Sequence, residues 1–226
     1  MKHHFQTMIF DFDYTLADSS RGVIECINFA LDELGLSTVS DEMACQTIGL
    51  SLSDTFLKLA GQQHIAKPVL ERSEGCDEFV RLFIKRADEV MADLTLLFDS
   101  VPRTVELLKR HGVTLGIVST KFRYRIETIL RRENLLYPFE VIVGGEDVSE
   151  HKPAPEGLLT AIERLGSVPS NCLYVGDSVT DAETAKRAAV PFVAVLSGVT
   201  PKDAFRGYDV YGMLESLSEL PDLIGC

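Results

Sequence analysis

Met8-Ile9-Phe10-Asp11-Phe12-Asp13-Tyr14-Thr15-Leu16 decides the reading of this chain. A short apolar run ends in two carboxylates two residues apart. Alternate side chains of a strand share a face, so Asp11 and Asp13 are expected to point one way and Phe12 the other. At about 3.3 Å per residue their Cα atoms should stand roughly 6–7 Å apart. Two negative charges at that spacing beside a buried sheet are unfavourable unless a cation joins them. A hard divalent ion such as Mg²⁺ suits the pair, because it takes oxygen ligands and keeps open positions for phosphate.

Outward from that stretch, Thr7 to Phe10 reads as a fully buried strand. From Ser19 or Ser20 the pattern turns helical: Val23, Ile27, Ala30, Leu31 and Leu34 recur at helical spacing, with Gly35 as the C-terminal stop. Residues from about 40 to 94 stay helical in pattern. After about residue 100, helices and strands alternate. Helices are expected near Pro102–His111, Tyr124–Glu133, Pro155–Leu165 and Thr180–Ala189. Strands are expected at Val113–Val118, Phe139–Val143, Cys172–Val175 and Phe192–Leu196. Asp209-Val210-Tyr211 reads as a short edge strand and Glu215–Leu220 as a terminal helix. That alternation predicts an α/β fold: a Rossmann-like parallel sheet core with helices on both faces. The helical stretch interrupts it directly after the aspartates and reads as an inserted helical cap over the site. The expected domains are a catalytic core of residues 1–15 and 95–226 and a cap of residues 16–94.

Composition narrows the partners. The chain has 226 residues, enough for a core with a sizeable insertion, and a formal charge of −12 from 34 acidic and 22 basic residues. That acidity argues against nucleic acid or an anionic membrane surface, though not against a small phosphate met by local positive charge. No apolar run approaches the roughly 20 residues that cross a bilayer. Five cysteines without a CxxC or Cys/His cluster read as reduced thiols in a cytoplasmic protein. His3-His4 is too short for a metal site.

In an open parallel sheet, ligands bind outside the carboxyl ends of the strands. Four segments fall there: Asp11-Phe12-Asp13, Ser119-Thr120, His151-Lys152-Pro153-Ala154-Pro155, and Gly176-Asp177-Ser178-Val179-Thr180-Asp181. Together they offer two pairs of acids, a hydroxyl and an ammonium. That set suits metal-assisted phosphoryl transfer, with one carboxylate attacking phosphorus and another handling protons. Each residue also has a plainer reading. Lys152 before a proline reads as a solvated loop lysine. Ser119, Asp177 or Ser178 read as helix caps, and Asp181 as a helix-surface acid. Thr120 and Lys121 flank the hydroxyl and offer a backbone N–H or a charge. Asp18, where the cap begins, suits a hinge or a cap residue.

The four segments, in this order, resemble the motifs of the haloacid dehalogenase-like hydrolase superfamily, in the branch with a helical cap. The DxDxT motif stands as Asp11-Phe12-Asp13-Tyr14-Thr15, the hydroxyl motif as Ser119, the lysine motif as Lys152, and the acidic motif as Asp177 and Asp181. The resemblance implies that Asp11 is the nucleophile of an aspartyl-phosphate. It implies that Asp13 protonates the leaving group and then activates water, and that Ser119 and Lys152 bind the phosphoryl group, with Thr120 beside them. Mg²⁺ would sit on the Asp11 side chain, the Asp13 carbonyl and Asp177, with Asp181 as an outer partner. Tyr14 stands where many relatives carry glycine, which puts the local turn in question.

Within that superfamily, dehalogenases lack the second aspartate, so Asp13 favours phosphoryl chemistry. Sugar phosphomutases carry a histidine where Val23 stands here. The opening motif, the His-Lys-Pro-x-Pro segment and the cap stretch Thr47 to Phe56 resemble phosphoglycolate phosphatases and related pyrophosphatases. Ser51 and Ser53 are candidates for choosing the substrate, against helix capping at Ser53. The expectation is a cytoplasmic, Mg²⁺-dependent phosphatase of a small phosphorylated metabolite. The alternatives are a sugar phosphomutase of the same fold and a non-catalytic binding protein.

Overall fold

In a computed structural model of the protein, residues 5–62 and 73–226 are described. His3-His4 and the part of the helical pattern over 63–72 lie outside the described residues. The chain forms two compact units, Met1–Asp18 with Leu97–Cys226, and Ser19–Leu96.

The first unit is built on six parallel strands. In chain order these are β1 (Thr7–Phe10), β2 (Thr114–Val118), β3 (Phe139–Val143), β4 (Cys172–Gly176), β5 (Phe192–Val195) and β6 (Val210–Leu214). Their spatial order is β3-β2-β1-β4-β5-β6. β1 and β4 are buried along their whole length, as expected of strands covered on both faces and explaining their unbroken apolar runs. The register sets Phe10 level with Ile117 on one side and Val175 on the other. Strand order reverses around β1, and in such sheets the crevice for a ligand opens at that point, beyond the carboxyl ends. Helices Val101–Arg110, Arg123–Arg132, Glu156–Arg164 and Val179–Ala188 link the strands. One contiguous core joins Ile9, Val118, Leu158, Tyr174, Phe192 and Phe205.

Two expectations at the carboxyl end of the chain are corrected. The edge strand is longer than Asp209 to Tyr211 and runs from Val210 to Leu214. The terminal helix is not Glu215–Leu220: a single 3₁₀ turn, Leu217–Glu219, precedes a helix at Leu220–Ile224. Ser216 and Glu219 form a closed capping pair, Ser216 Oγ accepting from Ser218 N–H at 3.3 Å and Glu219 Oε1 from Ser216 N–H at 3.0 Å. Pro221, which lacks an N–H, then fits the first turn of the new helix.

The second unit contains helices Ser20–Glu33, Asp41–Cys45, Leu52–Gln62 and Ser73–Leu94. Its core includes Val23, Ile27, Phe56, Leu59, Phe79 and Met91. The first and last of these helices approach closely at Gly22, where a Cβ would lie 2.6 Å from Met91 Sδ. The helix at Leu52 is capped by Ser51 rather than Ser53. Ser51 Oγ accepts from Asp54 N–H at 3.1 Å and donates to Asp54 Oδ2 at 2.7 Å.

Candidate active site

The site residues all belong to the α/β unit and follow the carboxyl ends of four strands. Asp11 continues β1, and its N–H donates to Val175 O at 2.8 Å. The chain then turns sharply: Leu16 and Ala17 N–H both donate to Phe12 O. Tyr14 takes φ +57° in this turn, a left-handed conformation that costs a non-glycine residue about 1 kcal/mol. Its N–H donates to Ala17 O at 2.7 Å and its carbonyl accepts from the Ser197 hydroxyl. These bonds hold the turn that the missing glycine had put in question.

Lys152 lies at the centre of a buried network. Its Nζ stands 2.9 Å from Asp11 Oδ1 and 2.7 Å from Asp181 Oδ1. Tyr174 donates its hydroxyl to the same Asp181 oxygen at 2.9 Å. The other oxygen of Asp181 accepts from the Ser178 N–H at 3.1 Å and the Ser178 hydroxyl at 2.5 Å. Ser178 is the N-cap of the following helix and accepts in turn from Asp181 N–H. Asp181 is therefore both a capping partner and the residue that fixes Lys152. The loop carrying Lys152 is closed by Glu156, whose carboxylate accepts from Ser149 N–H at 3.0 Å and Glu150 N–H at 2.8 Å. Those backbone donors, Ser149 first, hold the Glu156 carboxyl below its usual range.

A second buried pair sits beside the first. Lys121 Nζ lies 3.2 Å from Asp13 Oδ1, with both side chains less than a tenth exposed. Ser119 is buried and its Oγ accepts from Lys121 N–H at 3.3 Å. Thr120 between them is half-buried. Sequence reasoning treated Lys121 as a flanking charge and passed over Tyr174 and Glu156. The signal for Tyr174 is its place in the buried run Cys172-Leu173-Tyr174-Val175, where a phenol must find a polar partner.

Burial sets the electrostatics. It pushes the Asp11 carboxyl up from 3.8 to about 7, against the pull of Lys152; Asp181 and Asp13 act in the same direction as burial. Burial, then Asp181 and Asp11, holds the Asp177 carboxyl well above its usual value. For Lys152 burial acts to lower the ammonium, but Asp11 and Asp181 outweigh it and hold it well above its usual value. One oxygen each from Asp11, Asp177 and Asp181 lies within 4.8 Å of the others. Asp11 Oδ1, though near the lysine, accepts no aligned hydrogen bond among the described residues. Crowded, buried carboxylate oxygens of this kind fit a small hard cation. Since both oxygens of Asp181 already have partners, Asp11 and Asp177 are the better-suited pair. The backbone at Gly198 closes against this group: a Cβ there would lie 2.0 Å from Asp177 Oδ2.

A family model described as haloacid dehalogenase-like hydrolase matches residues 8–195, which include Asp11, Asp13, Ser119, Lys121, Lys152, Asp177 and Asp181. The chain belongs to the haloacid dehalogenase-like hydrolases. Phosphatases of this family generally use Mg²⁺. A phosphoglycolate phosphatase of Salmonella typhi is 34% identical over 95% of this chain and 86% of its own length. The phosphoglycolate phosphatase of Escherichia coli (strain K12) is 31% identical over 96% of this chain and 91% of its own. The crystal structure of a protein assigned as a haloacid dehalogenase-like hydrolase from Bacteroides fragilis superimposes with a TM-score of 0.89. It is 41% identical and covers 96% of this chain and 99% of its own. The expected parallel α/β fold, the family and the phosphatase class are thereby met. Among the described residues no helix of this hydrolase is long and apolar enough to cross a membrane.

Proposed function

We propose that this hydrolase cleaves a small phosphorylated metabolite through an aspartyl-phosphate on Asp11, with phosphoglycolate as the first candidate substrate. The observation that carries the reading is the pair of buried acids, each with its own ammonium: Asp11 with Lys152 and Asp13 with Lys121. In the first half-reaction an Asp11 oxygen attacks phosphorus and the bond from phosphorus to the leaving oxygen breaks. Asp13 gives its proton to that oxygen. In the second, Asp13 takes a proton from a water whose oxygen attacks phosphorus. The bond from Asp11 to phosphorus breaks, releasing phosphate and restoring both carboxyl groups.

Ser119, Thr120 and Lys152 hold the phosphoryl oxygens, and Asp181 with Tyr174 keeps the Lys152 ammonium in place. Asp11, Asp177 and the Asp13 carbonyl would hold Mg²⁺, which when bound offsets the charge of the carboxylates and the phosphoryl group. The five free cysteines support a cytoplasmic location. Phosphoglycolate leads because the Salmonella typhi and Escherichia coli relatives carry that name. The test is a Mg²⁺-supplemented panel of phosphoglycolate, pyrophosphate and sugar phosphates ranked by kcat/KM, with phosphate release measured alongside organic products. Phosphoglycolate at the head of the ranking supports the reading. Isomerised sugar phosphate without phosphate release would replace it with a mutase.

A further inference from the structure

Lys121 is a buried lysine whose backbone is held at both ends. Its N–H donates to Ser119 Oγ and its carbonyl accepts from Gly145 N–H at 3.1 Å. Two residues on, Arg123 N–H donates to Glu146 Oε2 at 2.9 Å and Arg123 Nε to Asp147 Oδ2 at 2.9 Å. The whole segment is thus pinned to the loop after β3, and the Lys121 ammonium reaches Asp13 from a fixed point. A buried ammonium is retained only when a partner meets it. Lys152 has Asp11 and Asp181 for that purpose, whereas the ion pair of Lys121 is with Asp13, the acid assigned to the leaving group. Proton transfer is efficient only when the acid is held within hydrogen-bond reach of the atom it serves.

We propose that Lys121 positions the Asp13 carboxyl for proton delivery to the leaving oxygen, and so determines how poor a leaving group the enzyme can expel. The inference rests on the aspartyl-phosphate reading above. It makes Lys121 a positioning residue with a kinetic signature that a purely structural role would lack. An alkyl phosphate releases an oxygen that must be protonated as it departs, whereas 4-nitrophenyl phosphate releases a stable anion that needs no such help.

The test compares kcat/KM for 2-phosphoglycolate and 4-nitrophenyl phosphate in wild type, Lys121→Met and Lys121→Arg. Lys121→Met should lose about 100-fold on the alkyl substrate and less than about fivefold on the aryl one. Lys121→Arg, which keeps a cation, should recover most of the alkyl rate. In an Asp13→Asn background, adding Lys121→Met should leave the alkyl-to-aryl ratio unchanged, because the positioned acid is already gone. Equal losses on both substrates, or no loss on either, would overturn the proposal. If Lys121→Met does not fold, the ratio in Lys121→Gln decides in the same way. The parent reading stands or falls separately: wild-type turnover of both substrates, abolished in Asp11→Asn, upholds it whichever way Lys121 behaves.

Discussion

The α/β unit buries Asp11, Asp13, Lys121, Arg125, Lys152, Asp177 and Asp181, while the buried polar residues described in the helical unit are Ser19, Thr47, Thr55 and Thr95, none of them charged. Thr47 and Thr95 donate to main-chain carbonyls three and four residues back, at 2.7 and 2.8 Å. The remaining described interior of the helical unit is apolar, with Phe79 between Phe56 and Phe83 at ring distances of 5.1 and 6.3 Å. Among the described residues, the carboxyl groups held above their usual values, Asp11 and Asp177, both lie in the unit that carries the chemistry. Substitutions in one unit should act on rate and ion binding, and substitutions in the other on stability.

Asp11→Asn puts the first half of that contrast under the greatest load. Turnover should fall on the order of 10⁴-fold or more, as for other lost nucleophiles. The melting temperature of the metal-free protein should hold or rise, because a buried carboxyl that Asp181 and Asp13 disfavour has been neutralised. Steady-state rates and thermal melts on the same sample check both statements. A variant that loses its fold along with its rate would show that Asp11 is structural as well as chemical.

Phe79→Ala tests the other half. Removing a fully buried ring from the helical core should cost about 3–5 kcal/mol. Below the melting transition its Mg²⁺ affinity, measured by calorimetry, should stay within about twofold of wild type, since among the described residues the candidate ligand cluster, Asp11, Asp177 and Asp181, lies in the α/β unit. A large loss of Mg²⁺ affinity would break the partition between the two units.

Gly198→Ala returns to the α/β unit with a smaller perturbation. The added methyl would meet Asp177 Oδ2 at 2.0 Å, so the carboxylate must move. Mg²⁺ affinity should weaken by about 10- to 100-fold, the usual scale for disturbing the support of a metal ligand. Calorimetry again reads the effect, and an unchanged affinity would mean that Asp177 has room to retreat without losing its place at the ion.

The same contrast explains what was legible in the amino-acid sequence. The two strand ends that carry the acids were readable, because β1 and β4 are fully buried runs each followed by an aspartate, at Phe10-Asp11 and Gly176-Asp177. The helical unit was readable by periodicity. Lys121 was harder: a lysine reads as solvated until its partner is known, and its partner Asp13 is brought to it only by the pairing of β1 with β2. Tyr174 likewise shows its role only once Asp181 and Lys152 converge on it. At the carboxyl terminus, Ser216 and Glu219 carry a helix-start signal that the structure uses for a single turn, which is why the expected helix was misplaced.

The smallest expected effect is the pH dependence of the metal-free protein, and its sign follows from the folded-state shifts. Asp11 stands near 7 in the folded protein and Asp177 well above its usual value, against 3.8 in the unfolded chain. Between roughly pH 4 and 7 the folded state keeps protons that the unfolded chain has released, so stability falls as pH rises through that window. Lys152 is charged in both states across this range and adds no slope. Mg²⁺ acts in the opposite sense, because it competes with those protons and needs the carboxylates ionised. Melts in EDTA should drift down by a few degrees from pH 5.5 to 7.5, while the stabilisation by added Mg²⁺ grows over the same interval. An EDTA melting temperature that climbs with pH would mean that the lysines outweigh burial at these acids, and that the α/β unit carries its charges without the penalty that separates it from the helical one.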